Sequence, residues 1–190
     1  MASPSPLATL LAQRSARRGH FVLASGRTSD LYIDARLTTM SPEGLSMIGP
    51  LALTTIRHSF PGADAAGGLT LGADPISYAI AYASAASLPL VRAFSIRKEA
   101  KAHGTGRQIE GPVSSTDKVV VIEDVITTGG SALRAVEVLR SNGYEILGVL
   151  ALVDREEGGR EAIEQAGLNV VSLTRASEIL PLLPAPNAGP

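Results

Sequence analysis

The sequence predicts an α/β fold, in which helices flank a central, mostly parallel sheet. The segment 119–122, Val-Val-Val-Ile, lacks polar alternation, which is typical of a strand covered on both faces. Apolar and helical segments also alternate along the chain, as they do where right-handed crossovers join parallel strands. The predicted strands lie near 64–67, 90–96, 118–123, 145–153 and 169–173, and the predicted helices near 74–87, 130–142, 159–167 and 176–183.

Length and composition indicate one domain. A chain of 190 residues with 45% hydrophobic content can bury one sizeable core, so we expect a single domain over 1–190. The absence of cysteine excludes disulfides and thiol chemistry. A net charge of −1 gives no sign of a nucleic-acid-binding surface. No apolar run is long enough to span a membrane and the N-terminus is not signal-like, so we expect a cytoplasmic protein.

The first forty residues predict a helix and a hairpin. The helix should cover about 5–19, and the segment 21–34 reads as two short strands around a glycine-containing turn. A second helix should begin at Ser41, followed by Pro42, and Pro50 should kink or break it. At the other end, the Pro, Ala and Gly tail 184–190 is expected to be disordered.

The end of the 118–123 strand carries the clearest functional signal. Glu123 and Asp124 are followed by the small, hydroxyl-rich turn 127–131, which leads into a helical pattern. Free N–H groups at a helix N-terminus, together with nearby hydroxyls, bind a phosphate. Carboxylates instead accept hydrogen bonds from vicinal sugar hydroxyls. The pattern therefore predicts a site for a ribose 5-phosphate unit.

This segment resembles the phosphoribosyl pyrophosphate (PRPP) motif of type I phosphoribosyltransferases. The resemblance implies their fold, with a small N-terminal hairpin hood, and PRPP binding by Glu123, Asp124, Val125, Ile126, Thr127, Thr128, Gly129, Gly130 and Ser131. The alternative is a strand–turn–helix corner of an ordinary doubly wound protein, with the acids acting as caps. A Walker P-loop and a dinucleotide-binding Gly-x-Gly-x-x-Gly turn are both excluded, because their residues are missing.

The segment 97–117 has no convincing periodicity and predicts a flexible loop. Its basic residues could form a lid over a polyanion, or a solvated charge run. The sequence of residues 97–104, Arg-Lys-Glu-Ala-Lys-Ala-His-Gly, resembles the catalytic loop of orotate phosphoribosyltransferases. That resemblance implies PRPP binding by Arg97, Lys98, Lys101 and His103, with Lys101, His103 and Asp124 catalytic. It also implies a homodimer in which the loop that contains Lys98 reaches the neighbouring subunit's site.

Two further segments resemble the same family. The hairpin 21–34 is similar to the one that covers the base in the family, and Arg155, after an apolar strand, matches the position where orotate is held. A guanidinium pairs with a planar carboxylate through two hydrogen bonds. The resemblance thus implies orotate binding by Tyr32, Thr127 and Arg155. Without it, a surface salt bridge from Arg155 to Glu156 or Glu157 would be the simpler interpretation.

The glycine-rich segment 67–76 resembles the family's pyrophosphate loop, which implies PRPP contacts from Gly72, Ala73 and Asp74. We also expect Asp74 to cap the next helix, with Pro75 at its first position. An ordinary strand-to-helix turn is the alternative. The chain departs from the family at Ala24, where many members have lysine, and at Ala73-Asp74, where many have Tyr-Lys.

Together these resemblances imply conversion of orotate and PRPP to orotidine 5′-monophosphate and pyrophosphate, in pyrimidine (UMP) synthesis. Mg²⁺ would be held mainly by PRPP and water, with no direct protein ligand. Two other functions stay open: a transferase for another base, and a non-catalytic regulator that senses PRPP. The regulator would not need the basic lid.

Overall fold

The computed structural model describes residues 4–22, 28–99 and 108–185. The helices are α1 (Pro6–Arg14), α2 (Arg36–Thr39), α3 (Pro42–Ser59), α4 (Ala73–Ser84), α5 (Gly130–Ser141), α6 (Gly159–Gln165) and α7 (Ala176–Ile179), followed by a 3₁₀ turn at Leu180–Leu182. The strands are β1 (Ala16–Val22), β2 (Thr28–Ile33), β3 (Ala65–Leu69), β4 (Arg92–Ile96), β5 (Ile109–Glu110), β6 (Lys118–Ile126), β7 (Glu145–Asp154) and β8 (Asn169–Arg175).

A six-stranded sheet in the order β5-β4-β3-β6-β7-β8 forms the centre. All neighbouring strands are parallel except the short edge strand β5, which runs antiparallel to β4. Along β6, Val119 and Val121 belong to the hydrophobic cluster on one face, while Val120 and Ile122 belong to the cluster on the other. The predicted α/β fold with a mostly parallel sheet is confirmed.

The N-terminal hairpin pairs β1 with β2 antiparallel, as predicted, and its turn at 23–27 lies outside the described residues. The first helix is shorter than predicted, since it ends at Arg14 and the chain is already extended at Ala16. Pairing with β2 begins there, where Ala16 lies opposite Ile33. Because this ladder satisfies the backbone groups, tertiary pairing overrides the local helical pattern.

Helix α3 begins at the predicted cap, where the Ser41 hydroxyl accepts a hydrogen bond from the Gly44 amide at 3.0 Å. Of the two predicted effects of Pro50, a kink or a break, the break does not occur, because the helix continues to Ser59. Pro50 and Ser46 are both exposed. The Ser46 carbonyl, which Pro50 deprives of its helical donor, can therefore bind water instead.

Helix α4 also begins differently from the prediction. Gly72 is the N-cap and Ala73 the first helical residue, so Pro75 is the third residue of the helix rather than the first. The Asp74 side chain makes no capping hydrogen bond. It instead accepts a 2.6 Å hydrogen bond from the Ser95 hydroxyl on β4, and this tertiary contact replaces the predicted cap.

Part of the predicted 97–117 loop forms β5, which pairs with Ser95 and Ile96 on β4. Two residues are too few to show a strand period, so this element could not be predicted from the pattern of the sequence. The residues 100–107, with Lys101 and His103, lie outside the described ranges, as do 186–190 of the predicted disordered tail. Within those described ranges, none of the helices has the length and apolarity needed to cross a membrane.

Packing of α3 on α4 predicts the effect of Gly49→Ala. A Cβ at Gly49 would lie 2.6 Å from the Ala79 carbonyl oxygen, closer than real Cβ contacts allow. Alanine favours a helix by about 1 kcal/mol over glycine, yet we expect the free energy of unfolding to fall by about 1–3 kcal/mol, because the two helix backbones must separate. Urea denaturation measures this change. The exposed Ser46→Ala on the same helix is the control, and a Gly49→Ala protein as stable as that control would contradict the packing argument.

Candidate active site

Residues from five segments of the chain line a cavity of ≈ 330 Å³ at the carboxyl edge of the sheet. The hairpin and its exit contribute one wall, the β3–α4 turn a second, and the end of β6 the floor. The lining residues are Tyr32, Ile33, Asp34, Ala35, Arg36, Leu69, Thr70, Leu71, Gly72, Lys98, Glu123, Asp124, Val125 and Ser131. The crevice beyond the strand ends is where open α/β sheets bind their ligands. We call it the main cavity.

The acid pair forms the floor of the main cavity. One Asp124 carboxylate oxygen accepts a 2.9 Å hydrogen bond from the Val125 amide, which fixes the carboxylate at the end of β6. Gly72 lies directly against it, since a Cβ at Gly72 would be 2.6 Å from the Asp124 carboxyl carbon. Only glycine lets the β3–α4 turn approach this close.

Burial of Glu123, next to the negative charge of Asp124, raises the pKa of the Glu123 carboxyl to about 9. At neutral pH Glu123 therefore keeps a proton that it can donate. The protonated Glu123 carboxyl offers a donor, and carboxyl oxygens of the neighbouring Asp124 offer acceptors. This combination suits two neighbouring hydroxyls and repels a polyanion less than two carboxylates would.

A smaller cavity of ≈ 50 Å³ lies beside the main one and is formed by the turn between β6 and α5. Its lining residues are Glu123, Val125, Ile126, Thr127, Thr128, Gly129, Gly130, Ser131 and Ala132. Gly129 has φ +81° and is the N-cap of α5, so the turn needs glycine there. The first amides of α5 have no acceptor within the helix, and the residues that carry them, Gly130, Ser131 and Ala132, line this space. Such a cradle binds one phosphate group.

A third, polar cavity of ≈ 480 Å³ adjoins the main cavity at Thr70 and Lys98, which line both. Arg97 lines this third cavity and pairs with Glu110 at 3.0 Å, so it does not reach the main cavity. Asp74 also lines the third cavity, whereas Ala73 is buried in the core. Arg97, Asp74 and Ala73 therefore do not line the main cavity, although the family resemblance implies that all three contact PRPP.

Arg155 is buried behind the hairpin rather than in the wall of these three cavities. One of its terminal nitrogens, Nη2, donates to the Ser29 hydroxyl and to a Glu157 carboxylate oxygen, both at 2.7 Å. The salt bridge to Glu157 is therefore present, but with only 5% of the arginine side chain exposed it is not a surface pair. Among the described residues its buried Nε has no hydrogen-bond partner.

Sequence reasoning missed Asp34 and Arg36, which face each other in the main cavity. Arg36 Nε and Nη2 donate to the two Asp34 carboxylate oxygens at 2.8 and 3.0 Å. The hydrogen bond from Arg36 holds the pKa of Asp34 below its usual value, and the same contact raises the pKa of Arg36. The available signal was an acid and a base two residues apart at the end of a predicted strand, which is too common to single out.

Comparison with known proteins agrees with this geometry. Residues 65–170 match the family described as phosphoribosyl transferase domain. An orotate phosphoribosyltransferase from Aquifex aeolicus is 48% identical over 177 residues, which covers 92% of this chain and 96% of that relative. The chain belongs to the orotate phosphoribosyltransferase family.

Solved structures of this family superpose on most of the chain. A Mycobacterium tuberculosis orotate phosphoribosyltransferase in complex with PRPP is 36% identical with a TM-score of 0.76, and the match covers 91% of this chain and 96% of that one. The same M. tuberculosis enzyme in complex with Fe(III) dicitrate is 40% identical with a TM-score of 0.79, over 91% and 96% of the two chains. The orotate phosphoribosyltransferase fold is thus shared over nearly the whole described chain.

The raised pKa of Glu123 predicts how stability depends on pH. The folded protein keeps the proton up to about pH 9, while the unfolded chain releases it near its ordinary value of 4.5. Proton binding therefore stabilises the fold fully below pH 4.5, and this contribution is lost progressively as the pH rises to about 9. Because glutamine does not ionise, we expect Glu123→Gln to gain about 1–3 kcal/mol in unfolding free energy over wild type between pH 5 and pH 9.

Urea denaturation of both proteins at several pH values measures this difference. The matched control is Glu137→Gln, which removes an exposed carboxylate from α5 and should leave the pH profile at its wild-type shape. A Glu123→Gln profile parallel to wild type would show that burial does not hold the proton on Glu123.

Proposed function

We propose that this protein transfers the phosphoribosyl group of PRPP to orotate, giving orotidine 5′-monophosphate and pyrophosphate in pyrimidine (UMP) synthesis. The observation that carries the proposal is the acid pair Glu123 and Asp124 at the floor of the main cavity, with a phosphate cradle beside it. Family membership supports the same activity, since the relatives are named orotate phosphoribosyltransferases.

The two adjoining cavities fit the two ends of a ribose 5-phosphate. The 5′-phosphate occupies the small cavity, where amides of α5 and the hydroxyls of Thr127, Thr128 and Ser131 donate to it. The 2′- and 3′-hydroxyls of the ribose bind Glu123 and Asp124. This orientation points the anomeric carbon into the main cavity, toward the hairpin and the β3–α4 turn.

Orotate is proposed to bind under the hairpin. Tyr32 lines the main cavity and its ring lies 5.4 Å from that of Phe21, so an aromatic surface is available for a flat base. Arg155 is the proposed partner of the orotate carboxylate, with Thr127 as a further contact. The unpaired Nε of Arg155 supports this role, because an unpaired buried donor is costly and a planar carboxylate would satisfy it. The contact requires the hairpin side chains to open a path to Arg155.

The reaction breaks the bond between the anomeric carbon and the pyrophosphate oxygen and forms a bond from that carbon to an orotate ring nitrogen, whose proton is released to pyrophosphate or water. Positive charge develops on the ribose as pyrophosphate departs, and the Asp124 carboxylate below the ring stabilises it. Lys98, Lys101 and His103 are proposed to neutralise the departing pyrophosphate, an effect worth about 3 kcal/mol for one well-placed donor in other enzymes. Gly72 and Ala73 would contact the pyrophosphate through the backbone. Arg97 would add positive charge from the adjoining third cavity, and Asp74 would reach PRPP only from that third cavity.

Mg²⁺ is the proposed cofactor. Among the described residues no group of three or more His, Asp or Glu side chains is arranged to hold a metal, so PRPP oxygens and water would supply most ligands. Such coordination suits Mg²⁺, which keeps several waters and favours phosphate oxygens. When bound, the ion would neutralise pyrophosphate charge.

A homodimer is proposed because α3 and α4 present an apolar face. Tyr78 and Tyr82 are 55% and 86% exposed, and with Leu45 they line an apolar groove of ≈ 410 Å³. Exposed aromatic clusters of this kind are typical of protein interfaces. We propose that a second copy covers this face and that the loop containing Lys98 reaches the neighbouring site. Within one chain Lys98 lines its own main cavity, so shared sites need a direct test.

Residues 1–190 are proposed to form one domain in the cytoplasm. Leu7, Leu11 and Leu31 from the N-terminal part pack in the same hydrophobic cluster as Val120 and Ile122 of the sheet, which argues against a separate N-terminal unit. The proposed location rests on the substrates, because both are anions at neutral pH and do not cross a membrane unaided.

Absorbance as orotate is consumed tests the activity. Purified protein with PRPP and Mg²⁺ should turn over orotate and not uracil, adenine or hypoxanthine, and chelation of the metal should abolish turnover until Mg²⁺ is restored. Turnover of another base would reassign the specificity. PRPP binding without turnover of any base would identify a sensor and contradict the enzyme proposal.

Mixing two inactive variants tests the shared site. Arg155→Ala removes the proposed orotate contact, and Lys98→Ala removes a loop cation. If the loop acts across the dimer, random mixing should restore about one quarter of wild-type activity, because half of the dimers have one intact site. A mixture as inactive as its components would show that Lys98 acts within its own chain. Adding Tyr82→Glu to both variants is the control, since it should prevent dimers and abolish recovery.

A further inference from the structure

The main cavity contains a cation that the proposed chemistry has not yet used. Arg36 lines the cavity with 51% of its side chain exposed, and its partner Asp34 is 21% exposed. Two parallel hydrogen bonds to Asp34 hold Nε and Nη2. In the described part of the chain, Nη1 of Arg36 has no hydrogen-bond partner, so this end of the guanidinium can donate to a ligand.

Charge in the cavity shows why a cation is needed there. Three acidic residues line it, Asp34, Glu123 and Asp124, while Arg36 and Lys98 are the basic residues among its described lining. A pyrophosphate group carries several negative charges, and a site that binds it must supply compensating donors. The Asp74 carboxylate accepts a hydrogen bond from Ser95 and lines the adjoining third cavity rather than the main one.

The position of Arg36 favours contact with the pyrophosphate group of PRPP rather than with its 5′-phosphate. The 5′-phosphate cradle is the separate small cavity, and Arg36 is not among its lining residues. In the main cavity Arg36 belongs to the wall formed by the hairpin and its exit, while Thr70, Leu71 and Gly72 form the second wall, and this turn packs directly on Asp124. A ribose held at Asp124 therefore has its anomeric carbon, and the group attached to it, on the side where Arg36 lies.

We propose that Arg36, positioned by Asp34, binds the pyrophosphate group of PRPP. This inference rests on the proposed function and adds a residue to its site. Asp34 is a positioning residue: its carboxylate holds the guanidinium in one orientation, so less side-chain freedom is lost when the ligand binds. Both oxygens of this carboxylate accept hydrogen bonds from the guanidinium, which reduces the repulsion between Asp34 and the pyrophosphate.

Calorimetric titration with PRPP and with ribose 5-phosphate, which lacks the pyrophosphate, tests this assignment. We expect Arg36→Gln to raise the Kd for PRPP about 10-fold or more, while the Kd for ribose 5-phosphate stays within about 2-fold of wild type. Arg14→Gln is the matched control, since Arg14 is 40% exposed and pairs with Glu43 at 3.2 Å, and it should change neither value. In the reverse reaction, the KM for pyrophosphate should rise in Arg36→Gln.

The Asp34→Asn variant tests the positioning role. It should weaken PRPP binding less than Arg36→Gln, and the double variant should bind PRPP no more weakly than Arg36→Gln alone, because Asp34 acts through the arginine. Additive losses in the double variant would overturn the positioning role.

Each other outcome also decides the inference. Equal weakening of both ligands, or of neither, would overturn the pyrophosphate assignment, and a loss confined to orotate would place Arg36 at the base.

Thermal unfolding checks that the Arg36→Gln protein is folded, and its midpoint must match wild type within the range of the Arg14→Gln control. If the midpoint is lower, Arg36→Lys, which keeps the charge, gives a second readout. Failure of wild-type protein to bind PRPP would overturn the proposed function itself, whereas wild-type binding with an unaffected Arg36→Gln overturns only this inference.

Discussion

Burial of β6 on both faces is the constraint on which the site depends. Residues 119–122 are almost completely inaccessible, and their parallel pairing with β3 and β7 fixes the register of β6, which continues to Ile126. Glu123 and Asp124 follow at once, so the register that buries the valines also sets the height of the acid pair. A slip of one residue would exchange the two faces and turn each acid to the other side of the sheet. Packing energy, rather than contacts within the site, therefore determines the position of these carboxylates.

Electrostatics in the main cavity follow from that placement. Two adjacent acids at the end of a buried strand cannot both ionise cheaply, and the structure resolves the conflict by keeping a proton on Glu123. A second acid, Asp34, is compensated differently, through two hydrogen bonds from Arg36. The cavity is thus acidic in composition but carries much less negative charge than a count of its carboxyl groups suggests. That balance reconciles an acid-rich floor with a ligand that is itself an anion.

The sequence predicted what is local and missed what depends on tertiary contacts. The strand β6, its acids and the phosphate turn are contiguous, so periodicity and residue type were enough to find them. The partner of Asp74 could not be predicted, because Ser95 lies on another strand and meets it only when β4 packs beside α4. Arg36 enters the cavity because the hairpin folds over the sheet, which no local pattern encodes. The early start of β1 has the same origin, since its partner strand lies beyond the turn.

The close contact between Gly72 and Asp124 has a consequence for how positive charge can reach this site. Any side chain at position 72 would collide with the Asp124 carboxyl, so the turn can offer backbone amides there but no cation of its own. If the charge comes from the hairpin exit instead, anion binding and the seating of the hairpin become thermodynamically linked, and each favours the other by the same free energy. The N-terminal hairpin would then be held most firmly over the site when the polyanion is already bound. An order of substrate addition, with the anion first and the base second, would be built into the architecture.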